Sequence, residues 1–249
     1  MFFSNSESEK KGREILENLY FFSENQVLDC NQCVIKDVDS GELVLFDTGN
    51  GISLKALFRG MEKLNLDYNK ISKVFITHEH VDHILGVYNL IKSLNENPPE
   101  IYAYGETVTV LEKGDKSQIC PDILGIDLKM FGIEIIPLRV NELKDKEDIR
   151  ISSDFNFQIH YTPGHSLGSI CYYDPINKVL IPGDLVFIGG SFGRYDFPGG
   201  SLSMLINSIK YVNNLDVKFL LPGHMDMSDS GNQQIELSYR MIQSIGSFY

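Results

Sequence analysis

The sequence predicts an α/β fold made of two similar halves, because apolar runs typical of strands alternate with amphipathic helical patterns. Each half contains a strand, a helix and a second strand, at 43–46, 54–64 and 73–76 in the first half and at 178–181, 201–212 and 217–221 in the second. No stretch is long enough to act as a free linker between the halves. We therefore expect residues 1–249 to form one domain.

The two central helices show the spacing of a buried face. Leucine and other large apolar residues recur three or four positions apart, at Leu54, Leu57, Phe58, Met61 and Leu64 in the first helix and at Leu202, Leu205, Ile206, Ile209 and Val212 in the second. This period of 3.6 places them on one side of each helix. Similar patterns predict a helix from Val81 to about Leu94 and a C-terminal helix from about Gln233 to Ile245.

Polar residues mark two further segments, one face of a strand in the second half and a stretch between the halves. The strand from Phe155 to Tyr161 alternates, with Asn156, Gln158 and His160 on its polar face, so we expect His160 to be solvated. The stretch from Asn141 to Arg150 predicts an exposed connection between the halves.

Composition excludes several classes of protein. The chain has a formal net charge of −12, which opposes binding to nucleic-acid phosphates. It also lacks the ~20 consecutive apolar residues of a membrane span and an apolar secretory leader. We expect a cytoplasmic protein that acts on a small molecule, with no nucleic-acid or membrane partner; the oligomeric state is left open.

The four cysteines do not form the framework of a small secreted protein. The pair Cys30 and Cys33 has the spacing of a redox pair or of half a zinc site, but Cys120 and Cys171 offer no matching pair. We interpret them as reduced, small buried residues.

The most informative segment is Thr77-His78-Glu79-His80-Val81-Asp82-His83, which follows the apolar run 74–76. Alternate residues at a strand end project to the same side, so His78 and His80 are placed to grip one metal ion while Glu79 points elsewhere. Where the chain turns into a helix, Asp82 and His83 become neighbours that can reach a second ion. The spacing predicts a two-metal site.

The other histidines outside the 155–161 strand also follow strands. His165 lies in Thr162-Pro163-Gly164-His165-Ser166, His224 follows Pro222-Gly223, and Asp184 follows Pro182-Gly183. Together with the 77–83 segment, these motifs resemble the metallo-β-lactamase superfamily, and within it the glyoxalase II-like hydrolases. The resemblance covers nearly the whole chain in the right order. It implies a four-layer αββα sandwich with the active site at one edge of two facing sheets.

The same resemblance implies the ligand set. His78, His80 and His165 would hold one metal, and Asp82, His83 and His224 the other, while Asp184 bridges them; Asp82 and Asp184 are the expected catalytic carboxylates. Asp47 would orient a ligating imidazole, with a simple turn cap as the alternative. Two divalent ions sharing a water would lower its pKa toward ~7. We expect zinc, with iron or manganese also compatible with these ligands.

The segment from Gly193 to Gly200 resembles one of short glyoxalase II-like proteins, and less closely one of persulfide dioxygenases. It offers Arg194 and Tyr195 as substrate-binding residues; the alternative for Arg194 is an ion pair with Asp196 that fixes the turn. The chain ends 25 residues after His224, so we expect no C-terminal helical domain of the kind that completes a glutathione site in full-length glyoxalase II.

The resemblance predicts a dinuclear hydrolase of thioesters or related small esters. A thiolate leaves without a general acid, and the sequence offers no obvious uncommitted acid once Asp82 and Asp184 bind metal. The alternatives are a mononuclear iron persulfide dioxygenase, a lactonase, or a catalytically silent binding protein.

Overall fold

The computed structural model describes residues 9–119 and 132–246. Seven strands form the first sheet in their order along the chain. They are β1 (Gly12–Leu16), β2 (Leu19–Phe22), β3 (Gln32–Lys36), β4 (Leu43–Phe46), β5 (Ile71–Phe75), β6 (Glu100–Ala103) and β7 (Asn141–Glu142).

Five strands form the second sheet, in the order β12-β11-β10-β9-β8. They are β8 (Asp148–Arg150), β9 (Asn156–Tyr161), β10 (Ile170–Asp174), β11 (Val179–Ile181) and β12 (Phe219–Leu220). The helices are α1 (Leu54–Lys63), α2 (Val81–Ile84), α3 (Gly86–Ser93), α4 (Glu106–Lys113), α5 (Lys116–Ile119), α6 (Leu202–Val212) and α7 (Gly231–Gly246).

The two sheets face each other across an aromatic core. The ring of Phe46 in the first sheet lies 5.5 Å from that of Phe75, 5.4 Å from that of Phe157 and 5.1 Å from that of Tyr172. Helices α1, α3 and α4 contribute to the apolar cluster on the outer face of the first sheet. Helices α6 and α7 contribute to the cluster on the outer face of the second sheet. The predicted αββα sandwich is confirmed.

The predicted repeat is present as two parallel strand pairs. Strand β4 pairs in parallel with β5, and α1 lies between them in the sequence; β11 pairs in parallel with β12, and α6 lies between them. Leu205, Ile209 and Val212 are the buried face of α6, and the Ser201 hydroxyl caps it by accepting from the Met204 amide at 3.4 Å. Because parallel strands point the same way, the carboxyl ends of each pair open at one edge.

Two sequence expectations need correction. The stretch from Asn141 to Arg150 is not only a connection, because its ends form β7 and β8, the edge strands of the two sheets. Such short polar edge strands have no apolar alternation to reveal them. The helix expected from Val81 to Leu94 is divided at Leu85 into α2 and α3.

Cys30, Cys33 and Cys171 are buried free thiols, as expected, while Cys120 lies outside the described residues. Within residues 9–119 and 132–246, no helix is both long and apolar enough to cross a bilayer. The cytoplasmic location stays a prediction.

His160 is not solvated; its exposed fraction is 1%. The error has a physical reason, since Tyr211 of α6 covers this face of β9. The Tyr211 hydroxyl and the Lys146 ammonium both lie 2.7 Å from His160 Nδ1. Burial, and then the charge of Lys146, lower the pKa of His160 to about 4.

We predict that His160 makes stability depend on pH. The pKa of His160 in the folded chain is below its unfolded value of ~6.5. As the pH falls, His160 is therefore protonated in the unfolded chain before it is protonated in the folded chain. The free energy of unfolding that His160 contributes above pH 6.5 is lost as the pH falls toward 4. Between pH 7 and pH 5 the wild type should lose about 1 to 2 kcal/mol more of its unfolding free energy than His160→Gln. Urea titrations of both proteins test this; parallel pH profiles would contradict it.

Candidate metal centre

Seven candidate ligands meet at one edge of the sandwich. The loop after β5 carries His78 and His80, α2 carries Asp82 and His83, and the loops after β9, β11 and β12 carry His165, Asp184 and His224. All the predicted ligands are therefore brought together, although they are spread over nearly 150 residues of the chain.

The first group is formed by three imidazoles. His165 Nε2 lies 2.7 Å from His80 Nδ1 and 3.2 Å from His78 Nε2, so three ring nitrogens converge on one point. The outer nitrogens of two rings are held by the protein, His78 Nδ1 by the Thr77 hydroxyl at 2.9 Å and His165 Nδ1 by the Arg194 carbonyl at 2.7 Å. These contacts fix the ring orientations, as supporting hydrogen bonds do in metal sites.

The second group contains Asp82, His83 and His224. His224 Nε2 lies 3.2 Å from Asp82 Oδ2, and His83 Nε2 lies 4.0 Å from the same oxygen. The donor set is thus two nitrogens and one carboxylate.

Asp184 lies between the two groups. One of its oxygens is 3.5 Å from His165 Nε2 and 3.2 Å from His224 Nε2, and the other is 3.3 Å from His83 Nε2. His83 Nε2 and this second oxygen are buried yet have no hydrogen-bond partner. Space here depends on Gly223, since a Cβ at that position would lie 2.3 Å from Asp184 Oδ1. Unpartnered buried acceptors of this kind are what a bound cation satisfies.

Burial makes the first group neutral. It lowers the pKa of His165 to about 4, against the opposing charge of Asp184. Burial also lowers the pKa of His78 and of His80, and in both cases neighbouring histidines add to the effect. Neutral imidazoles present free lone pairs, which is the form that binds a metal ion.

Carboxylates surround the histidines of the second group. Burial acts to lower the pKa of His224, but the carboxylates of Asp184, Asp82 and Glu24 outweigh it and raise this pKa to about 12. Asp184 has a pKa well below its ordinary value because the charges of His83 and His224 overcome the effect of burial. The surroundings therefore favour a cation at this position. Nitrogen and carboxylate ligands without thiolate fit zinc, iron or manganese.

Similarity to known proteins identifies the family of this chain. Residues 26–224 match the family profile described as Metallo-beta-lactamase superfamily. The chain belongs to this superfamily. Over 206 residues, 82% of this chain and 88% of the relative, it is 30% identical to an uncharacterised protein of Aquifex aeolicus.

The chain is also similar to a hydrolase and to a protein whose structure was solved with bound iron. The chain is 26% identical to the hydroxyacylglutathione hydrolase GloC of Haemophilus influenzae, over 79% of this chain and 86% of the relative. It also resembles the crystal structure of TTHA1623 in a di-iron-bound form, with a TM-score of 0.65, 26% identity and coverage of 84% of this chain and 92% of that one. Both are consistent with a metal-dependent hydrolase of the metallo-β-lactamase superfamily.

Asp47 contacts His83 of the second group through the ring nitrogen that faces away from the other candidate ligands. Its Oδ2 accepts from His83 Nδ1 at 2.9 Å and from the Thr77 hydroxyl at 2.8 Å, and its Oδ1 accepts from the Thr77 amide at 2.8 Å. Asp47 thus occupies the position expected of a residue that orients an imidazole, and it does not act as a simple turn cap.

Two supporting residues were missed at the sequence level. Glu24 accepts from His224 Nδ1 at 2.8 Å and from the Met225 amide at 3.0 Å, although it is 200 positions from His224. Glu79 accepts from the hydroxyls of Ser166 at 2.9 Å and Thr107 at 3.0 Å, and so ties the His165 loop to the first histidine loop. Glu24 belongs to no motif, and Glu79 lies within the 77–83 motif as a residue that points away from the metal site, so only the fold shows their partners.

Of the two residues expected to bind substrate, Arg194 lines the cavity beside the candidate ligands and Tyr195 does not. Arg194 forms a bidentate ion pair with Asp196, at 2.9 and 2.7 Å, and its guanidinium lies 4.2 Å from the Phe197 ring centre. This is the turn-fixing alternative. Tyr195 packs against the apolar cluster beneath α6 and α7 and does not line the cavity next to the ligands.

We predict that Glu24→Ala weakens metal binding. Removing the acceptor of His224 Nδ1 frees the ring to rotate and lowers its basicity, and the loss of such a partner lowers metal affinity by about 10- to 100-fold. Competition titration with a chromophoric chelator measures this affinity. Glu96→Ala, which removes an exposed carboxylate, is the matched control; equal affinities in the two variants would refute a role for Glu24.

Proposed function

We propose that this chain is a dinuclear metal-dependent hydrolase of small thioesters or related esters. The family and the convergence of seven ligands support metal-dependent hydrolysis, and the similarity to a hydroxyacylglutathione hydrolase supports a thioester. Zinc is the expected metal, with iron or manganese as alternatives.

The observation that favours thioesters is the set of titratable side chains around the cavity beside the ligands. Among the described residues they are Glu79, His80, Asp82, His165, Asp184, Arg194 and His224. Five of these are ligand candidates, Arg194 is paired with Asp196, and Glu79 accepts bonds from Ser166 and Thr107. No group in this set is free to protonate a leaving group. A thiolate, whose conjugate acid has a pKa of ~8.5, leaves without that help.

The residues of the chain would contribute by holding the metal ions and by orienting the imidazoles that bind them. Two divalent ions, one held by His78, His80 and His165 and one by Asp82, His83 and His224 with Asp184 shared, would supply a nucleophilic hydroxide at neutral pH and polarise the carbonyl. Asp47 and Glu24 hold the His83 and His224 rings through their outer nitrogens. The cavity of about 420 Å³ has a volume in the range of small-molecule sites. With the net charge of −12, this favours a small-molecule substrate over a nucleic acid.

A substrate panel tests the proposal. We expect turnover of acyl thioesters in air and under nitrogen alike, slower turnover of oxygen esters and lactones, and none of amides or nucleic acids. Metal analysis of the purified protein should find two ions per chain. Oxygen consumption with a persulfide, one iron per chain and no thioester turnover would reject the hydrolase in favour of a dioxygenase.

We predict that Asp184→Ala removes activity without unfolding the chain. Loss of the shared carboxylate should lower the metal content below two ions per chain and reduce kcat/KM by roughly a thousandfold, the size of a lost contribution of several kcal/mol. Asp216→Ala removes an exposed carboxylate paired with Lys178 and serves as the control. Near-wild-type metal content and turnover in Asp184→Ala would exclude a bridging role.

A further inference from the structure

We propose that the substrate carries an uncharged, apolar acyl chain of medium length, which lies along a hydrophobic wall beside the metal ligands. This inference rests on the proposed thioester hydrolysis and specifies its substrate class. Apart from the charged and histidine side chains, the described part of the cavity is lined by large apolar residues together with Pro198, Ser191 and Gly193. We call the following set the apolar wall: Leu28, Val81, Ile119, Phe187, Phe192, Phe197 and Met225.

The apolar wall adjoins the ligands themselves. The Phe197 ring centre lies 5.8 Å from that of His80, and the Phe187 ring centre lies 5.9 Å from that of His224. A carbonyl placed at the ligands would thus have aromatic surface on the side of each ligand group. A hydrocarbon chain gains free energy from such burial in proportion to its length.

The charges around the cavity give an anionic substrate little to bind. Among the described lining residues, Arg194 is the only lysine or arginine, and its guanidinium is held by both oxygens of Asp196. Glutathione carries two carboxylates. Among the described residues that line the cavity, no unengaged cation is present to pair with either of them. Desolvating an unpaired carboxylate is costly.

The mouth of the cavity is apolar as well. Leu28 and Met225 are 40% and 46% exposed, and both have left-handed backbones, with φ of 57° and 66°. Leucine and methionine are disfavoured there, where asparagine, aspartate and glycine are favoured. Exposed apolar side chains held in an unfavourable conformation at a cavity mouth indicate that these side chains serve binding. Val27, which is 87% exposed, extends the apolar surface next to Leu28.

The first test varies chain length on one neutral thiol. With N-acetylcysteamine thioesters from acetyl to octanoyl and the metal-loaded enzyme, we expect kcat/KM to rise about two- to fourfold per methylene until the wall is covered. Replacing N-acetylcysteamine by glutathione should give no gain at equal acyl length. A flat series, or a large preference for glutathione, would overturn the proposal.

The second test uses a variant that suits its backbone better than the wild-type residue does. Leu28→Asn removes apolar surface at the mouth and fits the left-handed conformation, so it should fold with an unchanged or higher Tm. We expect it to flatten the chain-length series. Ile176→Asn, in the turn between β10 and β11 and 80% exposed, should keep the wild-type series. Identical series in the two variants would exclude Leu28 from the wall.

Binding without turnover separates this inference from the proposed function. Non-hydrolysable S-alkyl thioethers of the same lengths should bind with affinity that increases with length and with a negative heat-capacity change by calorimetry. Length-dependent binding with no thioester hydrolysis would contradict the proposed function and support binding of an acyl chain along the apolar wall. Hydrolysis with turnover and binding that do not depend on chain length would support the proposed function and contradict binding along the apolar wall.

Discussion

The structure of the site depends on one buried carboxylate. Asp47 is 3% exposed, has a left-handed backbone with φ of 56°, and accepts hydrogen bonds from the Thr77 amide, the Thr77 hydroxyl and His83 Nδ1. A charge buried this deeply is tolerated because all these donors face it. Through Thr77 the same carboxylate also reaches His78, so one side chain at the end of β4 orients an imidazole in each ligand group.

The position of Asp47 follows from the strand arrangement. Asp47, His78, Asp184 and His224 follow the four strands of the two parallel pairs, and these strands end at the same edge of the sandwich. The aromatic core between the sheets fixes their separation, and Tyr172 adds a direct link by donating to the Ile76 carbonyl at 2.7 Å. The spacing of the ligands is therefore set by sheet packing, which is stiff, rather than by the loops that carry them.

Local patterns in the sequence predict some parts of this fold and site, and contacts between distant residues determine the others. Strand β4, helices α1 and α6 and the ligand loops were predictable because periodicity and clustered histidines are local signals. The burial of His160 was not, because it depends on Tyr211, which lies 51 positions away. Glu24 and Glu79 escaped detection for the same reason. The edge strands β7 and β8 were missed because they are short and polar, and their pairing is fixed only by neighbouring strands.

The site is divided by its chemistry into two parts with different origins. Strand ends, together with α2, supply the nitrogen and carboxylate donors, which form groups that could hold a metal ion. Loops supply most of the apolar wall, with Leu28 before β3, the 187–198 segment after β11 and Met225 after β12; Val81 and Ile119 come from α2 and α5. Loops tolerate sequence change without moving the strands beneath them. For the proposed hydrolase, substrate choice can therefore change through the apolar wall while the candidate metal ligands stay in place, so a shared ligand set leaves the substrate to the residues of the wall.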